Sequence, residues 1–179
     1  MLKVLVQIAV LTSLFSSCSA QSLEPRADWK TVESPDAGFK ATFPCEPAST
    51  KKLFQKEPKI ANLYSYKCDH QGISFSISLP ERFEDFDSSR IEQDLSGVEQ
   101  TLRSMIGDKA QVVSKNRVVK THSSREFEVD GGGTYGRQLN IAHPRGVYGV
   151  QAFGKYANKA GRSEIESLAQ RFLDSFTFL

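Results

Sequence analysis

Between Ile73 and Leu79 every second residue is apolar: Ile73, Phe75, Ile77 and Leu79 alternate with Ser74, Ser76 and Ser78. That is the period of a strand with one buried face. The same pattern occurs at Phe39, Ala41 and Phe43, which alternate with Lys40 and Thr42 before Pro44 stops the run. Cys45 keeps the parity of Phe39 and Phe43. Residues 61–69 place Tyr64, Tyr66 and Cys68 on one face, and His70-Gln71-Gly72 turns the chain back toward Ile73. A short first strand, Trp29 to Val32, precedes a turn at Ser34-Pro35-Asp36-Ala37-Gly38.

After Leu79 the period changes. Ile91, Leu95, Val98, Leu102 and Met105 or Ile106 fall on one helical stripe, and Ser89-Arg90-Ile91-Glu92 fits a capping box. Gly107 is placed to stop this helix. Strand patterns then resume at Gln111–Val113, Arg117–Lys120, Arg125–Asp130, Tyr135–Ala142 and Val147–Phe153. Gly131-Gly132-Gly133 and His143-Pro144-Arg145-Gly146 suit the loops of antiparallel hairpins. Val147–Phe153 is apolar on both parities, which predicts a central strand covered on both faces. Glu126 and Glu128 alternate with Phe127 and Val129 and read as the solvated face of a strand. Ser163-Glu164-Ile165-Glu166 is a second capping box, and Ile165, Leu168, Ala169, Phe172, Leu173 and Phe176 form the stripe of a last helix. Phe178 and Leu179 are placed to bury or to add a terminal strand residue. The expected class is α+β: an antiparallel β-sheet with helices packed on it.

The first twenty residues have a different character. Lys3 precedes an apolar run from Val4 to Phe15, followed by small residues, the layout of a secretory signal peptide. The run is shorter than the roughly 20 apolar residues of a membrane span. Two processing routes fit. Cys18-Ser19-Ala20 supplies small residues for cleavage before Gln21. Alternatively, Phe15-Ser16-Ser17-Cys18 resembles a bacterial lipobox, with Phe15 where leucine is usual, and Cys18 would then carry the lipid. The expected organisation is a leader over 1–20, a polar linker over 21–28 and one domain over 29–179. A domain of that size buries roughly 70% of its unfolded surface.

Export changes how the cysteines are read. Cys45 and Cys68 remain as an even pair in an oxidising compartment, which predicts a disulfide. Closing a loop over a separation of 23 residues stabilises the fold by about 3 kcal/mol on the chain-entropy argument. Charge excludes more than it identifies. Loss of the leader removes Lys3 alone from 23 basic and 21 acidic residues, leaving +1. Such a balance gives no field that would gather nucleic acid or an anionic membrane.

Gly38-Phe39-Lys40-Ala41-Thr42-Phe43-Pro44, the strand Val147–Phe153 and Arg171-Phe172-Leu173-Asp174-Ser175-Phe176 together resemble the exported proteins of the Mog1/PsbP-like fold. The resemblance spans most of the chain after the leader and implies an α/β/α sandwich on an antiparallel sheet. Its motifs are a core strand with its stop and a core helix stripe. The family includes photosystem II accessory proteins and many bacterial proteins, so the resemblance implies a fold and no catalytic residue.

Candidate chemistry is sparse. His70, His122 and His143 have no spacing that gathers them into a metal site. Asp130-Gly131-Gly132-Gly133-Thr134 lacks the Gly-Lys-Ser/Thr end of a phosphate loop. No Gly-x-Ser-x-Gly elbow accompanies Ser123 and Ser124. The loop residues to follow are His143, Arg145 and Phe83, the last within Glu81-Arg82-Phe83-Glu84-Asp85-Phe86-Asp87. No catalytic, cofactor or metal residue is assigned. The preferred expectation is a non-enzymatic exported domain, periplasmic or extracellular, that binds another exported or envelope protein or component. The alternatives are an enzyme or small-ligand carrier with a loop-built site, and a lipoprotein accessory factor tethered through Cys18.

Overall fold

The computed structural model describes residues 28–53, 62–81, 90–106 and 110–179. Along the chain these form β1 (Lys30–Ser34), β2 (Phe39–Phe43), β3 (Ala48–Leu53), β4 (Asn62–His70), β5 (Ile73–Glu81), α1 (Ile91–Ile106), β6 (Ala110–Val119), β7 (His122–Gly131), β8 (Thr134–His143), β9 (Gly146–Lys155), α2 (Lys159–Ser175) and β10 (Thr177–Phe178). Seven strands make one sheet in the order β3-β4-β5-β9-β8-β7-β6, with every neighbouring pair antiparallel. β1, β2 and β10 make a small second sheet. The chain therefore has an α+β fold.

Turn chemistry explains the hairpins. At the β7–β8 tip Gly132 and Gly133 have φ of 59° and 75°, the left-handed conformation a two-residue hairpin turn requires.

The two faces of the large sheet differ. On one, the alternating apolar set of β5 meets the small sheet and α2. Phe172 of α2 stands 4.9 Å from Phe43 and 5.3 Å from Phe75, centroid to centroid, so one helix residue joins both sheets. Ile165, Ala169, Phe172 and Leu173 are buried, as the stripe predicts. Cys45, just past β2, is disulfide-bonded to Cys68 of β4 with Cα atoms 6.0 Å apart. The opposite face carries α1, packed against β7 and β8.

Several expectations are corrected. β3, Ala-Ser-Thr-Lys-Lys-Leu, is exposed throughout and therefore carries no alternation to read. β6 is one continuous strand because β7 pairs with it over its whole length. α2 begins at Lys159, capped by Asn158, whose Oδ1 accepts from the Gly161 N–H at 2.9 Å; the Ser163 box lies inside the helix. Phe176 caps α2 instead of lying within its stripe. β9 occupies the centre of the sheet, but only one of its faces is buried; Val147, Gly149, Gln151 and Phe153 are part-exposed. Glu126 is 2% exposed, not on a solvated face. The capping box at Ser89, the stop at Gly107 and the Phe83–Phe86 loop lie outside the described residues.

Candidate functional site

Arg145 is the most constrained of the expected loop residues. Its guanidinium donates to Glu81 Oε1 from Nε at 2.9 Å and from Nη2 at 2.5 Å, and Nη2 also donates to the Asp36 carbonyl at 2.5 Å. It fastens the β8–β9 turn to β5 and to the β1–β2 turn. Burial would raise the Glu81 carboxyl, but hydrogen bonds from Asn62 and Arg145 outweigh it and hold the group below its ordinary value. His143 closes β8 inside an aromatic group. Its ring stacks on Phe178 at 4.9 Å and lies 4.7 Å from His122 and 5.4 Å from Tyr148. The Tyr148 hydroxyl donates to the Ala37 carbonyl at 2.5 Å, and burial pushes its pKa up to about 12.

Asp130, at the head of the glycine turn, accepts from the Tyr156 hydroxyl at 2.8 Å and from Arg162 Nε at 2.5 Å. It clasps the start of α2. Cys45 and Cys68 form the link between sheets. Cys18 and Phe83 lie outside the described residues. The structure brings His122 and His143 together, whereas His70 closes β4 at its turn to β5. Among the described residues no group of three metal-ligating side chains forms.

A shallow cleft of about 350 Å³ opens where the small sheet meets β3 and β4, lined by Ser34, Pro35, Glu46, Pro47 and Tyr66 among others. Ser34 Oγ and Tyr66 Oη are 2.6 Å apart. Its three carboxylates are each matched by a lysine: Glu33 by Lys40 at 2.7 Å, Glu46 by Lys30 at 3.1 Å and Asp36 by Lys51 at 3.9 Å. The cleft therefore offers little unspent charge.

The α1 face of the large sheet is different. Strand register sets two polar rows across its central strands. One row runs Ser76, Gln151, Gln138; the next runs Ser78, Gly149, Asn140. Ser76, Ser78, Gly149 and Gln151 are part-exposed, while Gln138 and Asn140 are 8% and 2% exposed. Gln151 Nε2 donates to Ser76 Oγ at 3.0 Å, and Gln138 Nε2 to Asn140 Oδ1 at 3.0 Å. Among the described residues Asn140 Nδ2 has no acceptor. Such a buried donor costs about 1–3 kcal/mol unless something meets it.

Gly149 presents no side chain between Ser78 and Asn140. A Cβ there would stand 3.1 Å from Ser78 Oγ and 3.7 Å from Asn140 Oδ1. Phe153, beyond Gln151 on the same face of β9, lays its ring over Gly136 in the space a side chain there would need. The rows end in charges already paired: Lys67 with Asp69 at 3.3 Å, and Arg125 with Glu92 of α1 at 2.6 Å. The centre is a neutral surface of amides and hydroxyls on rigid strands. It can hydrogen-bond a ligand in both senses, since each amide both donates and accepts. In the sequence the serines of β5 show only as the polar side of a strand. Gln138, Asn140 and Gln151 give a weaker signal: amides in central strands where apolar residues are the rule.

No protein-family model and no curated protein sequence matches the chain. Among solved structures, cyanobacterial PsbP (CyanoP) from Synechocystis sp. is similar with a TM-score of 0.52 and 11% identity, over 92% of this chain and 99% of that one. A Pseudomonas aeruginosa protein of unknown function aligns with a TM-score of 0.38 and 12% identity, over 80% of this chain and 94% of that one. The likeness to CyanoP is one of fold: the chain has a PsbP-like fold.

Proposed function

We propose that this chain is an exported, non-enzymatic binding domain, and that the neutral surface on β5, β9 and β8 is where it recognises a component of the cell envelope. One observation carries the reading: Asn140 keeps a donor with no partner among the described residues, at 2% exposure, beside Gly149, which presents no side chain. A buried polar group of this kind, set among part-exposed amides and hydroxyls, suits a ligand that completes its hydrogen bonds. The charged and aromatic loop groups, by contrast, are engaged within the fold. Arg145 is held by Glu81, Asp130 by Arg162 and Tyr156, and His143 by Phe178.

The leader pattern and the disulfide support the envelope as the place of action. The 1–20 leader and the Cys45–Cys68 disulfide agree with an oxidising compartment, periplasmic or extracellular. No helix among the described residues is long and apolar enough to cross a membrane. If Cys18 is lipidated, the same domain works from a membrane surface. Residues 29–179 then act as the single binding unit.

The test is capture from detergent-solubilised envelope by the immobilised exported protein, compared with its Gly149→Ala and Gln151→Ala variants. A component retained by the parent and lost from both variants is the expected result. Retention unchanged by either substitution overturns the placement of the site.

A further inference from the structure

The ligand class follows from what the surface offers and omits. It has no net charge at its centre, and its flanking Lys67 and Arg125 are paired. A phosphate or carboxylate ligand would need free cations there. An acyl chain would strip water from the amides and give them no partner in return. An extended peptide docks by adding its backbone to a sheet edge, whereas β5, β9 and β8 are paired on both sides.

What remains open are side-chain amides and hydroxyls, with a half-buried aromatic ring beside them. Phe153, Gln151 and Gly149 follow one another on the same face of β9 at two-residue steps. They therefore span about 13 Å at the rise of a strand. Residues on strands hold fixed positions, so little ordering is required on binding.

Resting on the reading above that this surface is the binding site, we infer that its ligand is a neutral glycan. Ring hydroxyls both donate and accept, matching Asn140, Gln151 and Ser78. Because Gly149 presents no side chain, a ring hydroxyl can approach between Ser78 and Asn140, and an apolar C–H face of a neighbouring ring lies on Phe153. A surface built this way discriminates by hydrogen bonding, since a ligand lacking hydroxyls leaves the part-exposed serines and Gln151 without the partners water gave them.

The experiment is a titration of the exported protein, processed as its host leaves it, with three neutral probes: chitotetraose, cellotetraose and maltotetraose. Side-chain amide resonances of Asn140, Gln138 and Gln151 are followed. The expected result is a saturable shift of these resonances with at least one tetrasaccharide. Gln151→Ala, a part-exposed position, weakens that binding about fivefold to tenfold, the loss of one or two hydrogen bonds. Gly149→Ala abolishes it while leaving the rest of the amide spectrum in place. The inference is overturned if no tetrasaccharide saturates, if the shifts fall outside the two rows, or if an uncharged Gly-Ser-Asn peptide saturates instead. Envelope capture that depends on Gly149 while all three sugars fail sinks the glycan and leaves the binding site standing. Capture indifferent to Gly149 sinks both.

Discussion

Glu126 is a carboxylate enclosed on the α2 face of the sheet. Its Oε1 faces the Arg137 guanidinium at 2.5 Å and the Lys115 ammonium at 3.2 Å, while Oε2 meets Arg117 at 3.2 Å. Arg137 is itself 8% exposed and also donates to Gln170 of α2. Burying either charge alone is costly, and the group persists because each side neutralises the other. Replacing Glu126 with alanine therefore leaves the Arg137 charge without its main partner. The expected loss is about 3–5 kcal/mol, seen as a lower urea midpoint at unchanged slope. A loss within that of an ordinary surface change, about 0.5 kcal/mol, would show that the pair is solvated after all. This side chain also shows where residue-level reading stops. Alternation with Phe127 and Val129 assigns Glu126 a face correctly, but which face is wet depends on where α2 lies. The same limit hides Asn140. Its neighbours Leu139 and Ile141 mark a strand, yet nothing local says that an amide in that strand will be buried with a donor unspent.

Elements with strong periods were legible: β2, β5, the α1 stripe and the α2 stripe each follow from apolar spacing alone. β3 was not, because an edge strand with both faces exposed has no burial pattern to impose on its sequence. β10 is legible only as two apolar residues at the terminus, and its docking depends on partners far along the chain. Phe178 packs on His143 and on His122, at 4.9 and 4.8 Å, and Lys120 Nζ donates to its carbonyl at 2.7 Å. Burial lowers the His143 pKa below its ordinary 6.5, and electrostatic repulsion from the neighbouring His122 and Arg145 lowers it further. The unfolded chain consequently takes up that proton more readily than the folded one. Stability from this group is complete above about pH 6.5 and falls as the pH drops below it. Lys120, Arg145 and Glu81 also face this corner. Glu81 loses its contribution only at lower pH, because its carboxyl is held below its ordinary 4.5. Between pH 7.5 and 5.5 the protein should therefore lose stability, and His143→Phe, which keeps an aromatic ring against Phe178, should lose less. Parallel urea midpoints for the two proteins across that range would remove His143 as the cause.

For the whole molecule, the division of labour between the two faces of one sheet sets how it should respond to salt. One face is spent on folding: aromatic rings from β2, β5 and α2 fill it, and the disulfide ties the small sheet to β4. The other keeps a neutral polar centre between α1 and the β3–β4 edge. The chain's formal net charge is only +2, so no long-range field gathers ligands to that centre. If that centre is the binding site proposed above, recognition runs through short, uncharged hydrogen bonds, which ionic strength barely affects. Raising salt from 0.05 to 0.5 M shortens the screening length from about 14 Å to about 4 Å and suppresses attraction between exposed charges. Affinity for the proposed envelope component, measured by its release from the immobilised protein, should change by less than about twofold over that range, since amide and hydroxyl contacts carry no charge to screen. A loss of tenfold or more would move the binding to the ionic margins, where Lys67 and Arg125 stand. Salt would then release those side chains from Asp69 and Glu92 as well as from the ligand. The two outcomes separate a site made of neutral groups from one made of charged ones, and they do so before the ligand itself is identified.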